Sequence, residues 1–496
     1  MRLTRRSFLK SSAAALAGAA LAPRSWSQVP SANSAVRVAV LGLNGRGRNH
    51  LQSVAACRGA RLVALCDPDS AVLARAKHLA GDHVATYRDL REVLESRDID
   101  AITIATPNHW HALAGIWACQ AGKDVYVEKP VCHNVWEGRQ LVAAAAKYGR
   151  IVQAGMQIRS GEGLQEAVAW VRAGNLGPIK VSRGFCYKRR DSIGKVAATP
   201  PPPPTVDLNL WCGPAPLAAP HRARFHYDWH WQWPTGNGDL GNQGIHQMDV
   251  ARWFLGEPGL PPRTLSVGGR LGYVDDGETP NTHVILHDYA AAPLIFEVRG
   301  LPSAAAQATV HADPALAGAA TAHALAATMD KYRGVSIGNV IECEGGSVII
   351  ADYFTARAYD RHGKLIREFK GRDRHMQNFI DAVHSRRAAD LYGPVAEGNV
   401  SSSLCHLGNI SHQAGTTRPE DEIRAKIRGD AGFAEACGRM LEHLHRNHID
   451  LARTPLTFGE PLALAGNRFT GPDAARPNAL LKGTYREPFV VPELEA

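Results

Sequence analysis

Val36-Arg37-Val38-Ala39-Val40-Leu41-Gly42-Leu43-Asn44-Gly45-Arg46-Gly47 is the stretch that decides the fold. Residues 36–41 alternate as a buried strand does, then break at Gly42 into a glycine-rich turn that leads into a helix-like segment. Glycine serves two needs there. It allows a tight turn out of the strand, and it lets backbone N–H groups at a helix N-terminus approach a pyrophosphate. The pattern departs from G-x-G-x-x-G at its second glycine, where Asn44 stands with Gly45 beside it.

Downstream, a second apolar strand, 61–66, ends in Asp67. An acid there can accept both ribose hydroxyls and would repel a 2′-phosphate, which favours NAD over NADP. The alternation then repeats: helix 71–79, a short strand near Val84, helix 90–95, and strand 101–105 ending in Thr106-Pro107-Asn108-His109-Trp110-His111. Helix 112–121, strand 124–128, helix 136–148 and strand 151–153 follow. Six strands alternating with helices predict a doubly wound parallel α/β sheet, a Rossmann domain over residues 36–155. Ligands of such sheets bind at the carboxyl ends of the strands, where Gly42, Asp67, Thr106 and Lys129 all fall.

The fifth strand closes in Tyr126-Val127-Glu128-Lys129-Pro130. A lysine titrates near neutrality only when desolvated or crowded by positive charge, and an oxidised nicotinamide ring beside it supplies both conditions. Lys129 is therefore the candidate proton-transfer residue. The competing reading is a strand that ends in a solvated charge pair before a turn-forming proline.

Taken in order, the glycine turn, Cys66-Asp67, Thr106-Pro107-Asn108 with His111, Ala121-Gly122-Lys123 and Glu128-Lys129-Pro130 resemble the glucose-fructose oxidoreductase, inositol dehydrogenase and MocA (Gfo/Idh/MocA) family. The resemblance implies a second domain with an open mixed sheet whose face covers the nicotinamide. It also implies Lys129 as the catalytic lysine, with a cis bond to Pro130. The cofactor set becomes Gly42, Asn44, Gly45, Arg46, Gly47, Asp67, Thr106, Asn108, His111, Glu128 and Lys129. In dehydrogenases of the family a later helix starts with an Asp-x-x-x-His pair that holds the reacting hydroxyl. The match here is Asn242-x-x-x-His246, so the catalytic set is Lys129, His246 and Asn242. An amide can orient a hydroxyl but cannot raise the basicity of its neighbour as a carboxylate does. Asp249, three residues after His246, shares its helix face.

Residues 156–413 read as an α+β substrate domain: helix 163–173, then strands 180–187, 264–271, 283–288, 293–299, 338–344 and 347–351 without intervening helices. That predicts an open, largely antiparallel sheet, whose edges invite a homo-oligomer. Residues 200–204 are a proline spacer and 275–282 a hairpin loop. Phe225, Tyr227, Trp229, Trp231 and Trp233 alternate with polar residues, so an extended segment would put five rings on one side, for a sugar, an interface or the core. His221, His226, Asp228, His230, Asp239 and His246 lack the spacing of familiar zinc sites, and no metal is assigned. His375 and His406 fall on helices. Residues 414–496 form a tail with one helix, 433–445, that packs back on the body; His443, His445 and His448 are assigned to its solvated face.

A chain of 496 residues suits two domains with added segments. The net charge of +9 owes five cations to residues 1–27, which hold no acid, and no dense basic stripe points to nucleic acid. The nine cysteines form neither a paired framework nor a Cys-x-x-Cys motif. Thr4-Arg5-Arg6-Ser7-Phe8-Leu9-Lys10 and the alanine-rich run 11–22 resemble a twin-arginine export signal, with a linker to residue 35. That implies the export machinery as a partner, a periplasmic or otherwise exported destination, and a cofactor loaded before export. The reading is an exported NAD(P)-dependent oxidoreductase acting on a sugar or glycoside with tightly held cofactor. Two alternatives keep the same residues: an NAD-dependent glycoside hydrolase that oxidises, eliminates and returns the hydride, and a non-catalytic nucleotide-binding scaffold.

Overall fold

The computed structural model describes residues 35–303 and 328–494. The twin-arginine stretch and the run 11–22 lie outside the described residues. Among the described residues no helix is long and apolar enough to cross a membrane.

The first layer runs β1 (Val36–Leu41), α1 (Arg46–Ala56), β2 (Ala60–Cys66), α2 (Ser70–Ala80), β3 (Ala85–Tyr87), α3 (Leu90–Glu95), β4 (Ala101–Ile104), α4 (Asn108–Gln120), β5 (Asp124–Val127), α5 (Val135–Lys147) and β6 (Val152–Ala154). The strands pair in the order β3-β2-β1-β4-β5-β6, all parallel. The order reverses between β1 and β4, which opens a crevice at their carboxyl ends. Both faces are covered, so β4 and β5 are buried at every residue. Helix starts are fixed by side chains: Asp69 accepts the Ala71 and Val72 N–H groups, and Asn134 accepts that of Glu137. α4 begins four residues before its apolar run, directly after Pro107. Its polar first turn hides the start from a hydropathy reading, and Asn108 and His111 therefore stand on a helix N-terminus.

The second layer comprises α6 (Glu162–Arg172), β7 (Ile179–Tyr187), α7 (Leu208–Cys212), α8 (Ile245–Leu255), β8 (Arg263–Gly269), β9 (Thr282–Asp288), β10 (Leu294–Arg299), β11 (Ile337–Cys343), β12 (Gly346–Ile350), β13 (Thr355–Asp360), β14 (Leu365–Lys370), α9 (His375–Ser385) and α10 (Val395–Ala414). It is a mixed, mostly antiparallel sheet in which β7 and β10 run parallel. β13 and β14 escape sequence detection because β14 buries only Phe369, leaving no apolar alternation to see. α8 lies on one face of this sheet. Gly184 of β7 is required there, since a Cβ would come within 2.5 Å of the Phe296 ring.

The tail holds more than one helix: β15 (Thr416–Arg418), α11 (Glu420–Ile427), α12 (Ala431–Arg446), β16 (Leu456–Phe458), β17 (Leu462–Ala465), β18 (Arg468–Thr470) and α13 (Ala475–Ala479). β16 and β17 pair with β8 and extend the sheet. α12 buries Phe433, Met440 and Leu444 against Val267, Leu286 and Ile295 on the face opposite α8. His443 belongs to that buried stripe and bonds Asp330 (2.7 Å), so the solvated-face assignment holds only for His445 and His448. The reason is periodic: residue 443 falls three after Met440, on the apolar side of the helix. All nine cysteines are free thiols.

Candidate active site

The crevice above β1 and β4 is a cleft of about 310 Å³. Its floor is the Gly42 turn. Gly42 has φ +78°, and a Cβ on it would meet the Ala105 backbone at 2.7 Å; a Cβ on Gly47 would meet the Gly42 carbonyl at 1.8 Å. Those two glycines let β1, β4 and α1 close on one another. Gly45, at φ +49°, has open space above it, and that space is the cleft. Asn44 and Arg46 line it beside Gly45, whereas Gly47 sits behind and shapes the turn.

Asp67 also lines the cleft. Its carboxylate accepts the Leu43 and Asp69 N–H groups (2.9 and 3.0 Å), and burial holds its pKa above the ordinary value. Thr106, which lines the cleft, carries a buried hydroxyl with no hydrogen-bond partner in the protein. Asn108 donates to Asn237 (2.9 Å). His111 faces two carbonyls, those of Pro130 (2.6 Å) and Thr106 (2.8 Å), and burial lowers its pKa, so the neutral ring donates to one of them at a time. Open space over Gly45, the Asp67 carboxylate at the end of β2 and an unpartnered hydroxyl at Thr106 together fit a dinucleotide.

At the other end, the Lys129–Pro130 bond is cis. The Lys129 amine donates to the backbone carbonyl of Asn242, not to its side chain. The widened turn Leu240–Gly244 ahead of α8 presents that carbonyl to the lysine. Burial lowers the Lys129 pKa; Glu128 opposes this, while Arg46 and Lys188 push the same way. Glu128 is buried and accepts from Arg46 (2.8 Å), His50 (3.0 Å) and Gln157 (3.1 Å). Burial alone would raise its pKa, but these partners hold it well below the carboxylate range. Glu128 is thus an anchored anion beside the lysine. His50 and Gln157, its supports, carry no motif that a single sequence reveals.

His246 is buried behind the cleft wall, 5.3 Å from the Tyr353 ring, with Nδ1 unpartnered. Burial, reinforced by Lys129, lowers its pKa to about 3, so the ring is neutral. Asp249 does not serve His246; it holds Arg159 in a buried fork (2.8 and 2.9 Å).

The aromatic row is not extended. Residues Asp228–Trp231 form a 3-10 turn. Asp228 draws in the Arg224 N–H and guanidinium, and Gly236 packs so closely that a Cβ would lie 2.4 Å from the His230 carbonyl oxygen. Phe225, Trp229 and Trp231 therefore go inside, while Tyr227 stays 41% exposed. Tyr227, Trp229 and His230 form one wall of the cleft. The spacer 200–204 leads into residues 205–229, a strap that carries Leu210, Trp211 and His226 onto the same wall. His226, Asp228, His230 and Asp239 are engaged by Asp69, Arg224, the Tyr227 carbonyl and Arg190 in turn, and among the described residues no group of three His, Cys, Asp or Glu is set to hold a metal.

Comparison with known proteins agrees with this geometry. Residues 36–156 match the model described as "Oxidoreductase family, NAD-binding Rossmann fold", and residues 166–280 that described as "Oxidoreductase family, C-terminal alpha/beta domain". A curated relative, "Glycosyl hydrolase family 109 protein 1" of Shewanella sp. (strain MR-4), is 38% identical over 120 residues, 23% of this chain and 26% of its own. The chain thus spans only about a quarter of that relative's length. Among solved structures, the WlbA dehydrogenase of Bordetella pertussis in complex with NADH and UDP-GlcNAcA is similar with TM-score 0.54 at 18% identity, over 76% of this chain and 94% of that one. A levoglucosan dehydrogenase in complex with NADH and levoglucosan gives TM-score 0.54 at 16% identity, over 75% and 96%. At such identities the likeness carries the fold. Two stretches of the chain, residues 36–156 and 166–280, are thus similar, in order, to the NAD-binding Rossmann domain and the C-terminal α/β domain of the Gfo/Idh/MocA oxidoreductases.

Proposed function

We propose that the protein is an NAD-dependent oxidoreductase acting on a hydroxyl of a sugar or glycoside. The observation that carries this reading is the buried Lys129 amine, its pKa lowered, tethered to the Asn242 carbonyl in the same cleft as the Gly42 turn and Asp67. Bound NAD supplies the hydride acceptor. Lys129 takes the proton of the reacting hydroxyl, and the Asn242 carbonyl aims its Nζ. Neutral His246 backs the site without competing for that proton. Tyr227, 41% exposed at the cleft, offers a ring to a pyranose. The sugar ligands named for the two dehydrogenases above support the substrate class.

A second reading draws on the glycosyl hydrolase family 109 relative: NAD takes a hydride from a ring carbinol of a glycoside, the acidified neighbouring C–H loses its proton as the aglycone leaves, water adds in the aglycone's place, and the hydride returns to the ketone. The basic leader with Arg5 and Arg6 supports export by the twin-arginine route. One experiment addresses all three points. Protein recovered from the cell envelope is incubated with aldoses and aryl glycosides and the products are identified. A keto-sugar or lactone supports oxidation, and free aglycone without oxidised sugar supports the hydrolase. No turnover of either class would sink the enzyme reading, and absence of the chain from the envelope would sink export.

A further inference from the structure

The strap 205–229 is fastened on two sides. Toward the Rossmann sheet, Asp69 and Val206 pair as an antiparallel bridge. Ser70 N–H donates to the Thr205 carbonyl and Asp207 N–H to that of Pro68, both at 3.0 Å. His226 reaches the Asp69 carboxylate at 2.9 Å. Over α4, the Trp110 indole donates to the carbonyls of Leu210 and Trp211 (3.1 and 3.0 Å). Its inner wall, Leu210, Trp211 and His226, lines the cleft together with Asp67, Arg88 and Leu90. With the pyrophosphate at the Gly42 turn and a ribose at Asp67, that end of the crevice holds the adenosine half of a dinucleotide.

The second fastening comes from the tail. Arg486 donates to the Asn209 side chain (2.7 Å), the Asn209 carbonyl (2.6 Å) and the Ala215 carbonyl (3.2 Å). Phe489, beneath the same guanidinium, packs edge-on against Trp110 at 5.5 Å. Arg486 lies outside the cleft, and so does Gly213, at the turn where the strap crosses Trp110.

We infer that residues 205–229 are a retaining strap for the adenosine half of the bound dinucleotide, latched from outside by Arg486, so that the cofactor leaves only when the strap lifts. The inference rests on the nicotinamide reading above. A hinge between the two layers is a poor exit route, because one apolar core runs from Ile104 and Val131 into Leu240, Met248 and Leu404, and the Arg159–Asp249 fork is buried between them. Lifting the strap breaks its hydrogen bonds to residues 68–70 and its contacts with His109 and Trp110 beneath Trp211, and it leaves that shared apolar core undivided. Arg486 is a positioning residue: it acts on the cofactor through the strap.

The test is cofactor release. Protein loaded with NADH is diluted into excess NAD, and the loss of bound NADH fluorescence is timed for the wild type, Arg486→Ala and Gly213→Val. The valine adds a Cβ 2.2 Å from the Trp110 ring at a φ of +48°, so it wedges the strap outward. Both variants are expected to release NADH about tenfold faster or more. If circular dichroism shows either variant unfolded, amide hydrogen exchange on the wild type decides: NADH loading slows exchange across 205–229. Release within about twofold of wild type in folded variants, or unchanged exchange over 205–229, overturns the strap and leaves the nicotinamide reading intact. Failure of the wild type to bind NADH overturns both.

Discussion

A lysine amine serves as a base only when its proton is loosely held, and Lys129 meets that condition through burial and the nearby charges of Arg46 and Lys188. The neutral form grows as pH rises through the lowered pKa. kcat/KM is therefore expected to climb with pH and level off below the ordinary lysine value of 10.5. Lys129→Met should cut kcat/KM about a thousandfold while NADH still binds. A variant that keeps turnover would remove Lys129 from the chemistry. Lys129, Asp67 and Gly42 were legible in the sequence because each has a chemical or steric reason to stand at a strand end. The Asn242 contact was not, since a sequence displays the amide and hides the direction of its carbonyl. His443 was misjudged for a related reason: histidine-rich composition masked its place on the buried stripe of α12.

At the scale of elements, regular alternation was readable and curled segments were not. The six Rossmann strands carry repeating strand and helix periods, so their order followed from the chain. The run 225–233 has the period of a strand, yet Asp228 bonds back to Arg224 and turns it into the strap's last coil. The α5 N-terminus makes its own prediction. Glu137 is buried beneath Tyr485 of the tail, and burial raises its pKa from 4.5 to about 7, against the pull of the His133 N–H and the Tyr485 hydroxyl. Between those values the folded chain holds a proton the unfolded chain has lost, so stability falls as pH rises across the window. Thermal melts from pH 5 to 8 should show a loss of about 2–3 kcal/mol, absent in Glu137→Gln. An identical slope in the variant would contradict it.

At the scale of the molecule, the two matched stretches form the sheets that frame the cleft, the strap adds a wall to it, and the tail fastens the strap from outside. Sequence periodicity could place the Rossmann domain and most of the second sheet, because those are long, repetitive and apolar. It could not show that Arg486 returns to fasten Ala215 and Asn209, 271 and 277 residues earlier in the chain, since such contacts depend on three-dimensional closure. A cofactor held under the strap is expected to stay with the protein through purification. Denaturing the purified protein and quantifying released nucleotide tests the central claim most directly: about one NAD per chain is expected. A preparation that releases none, and that binds none when NADH is added, would contradict it.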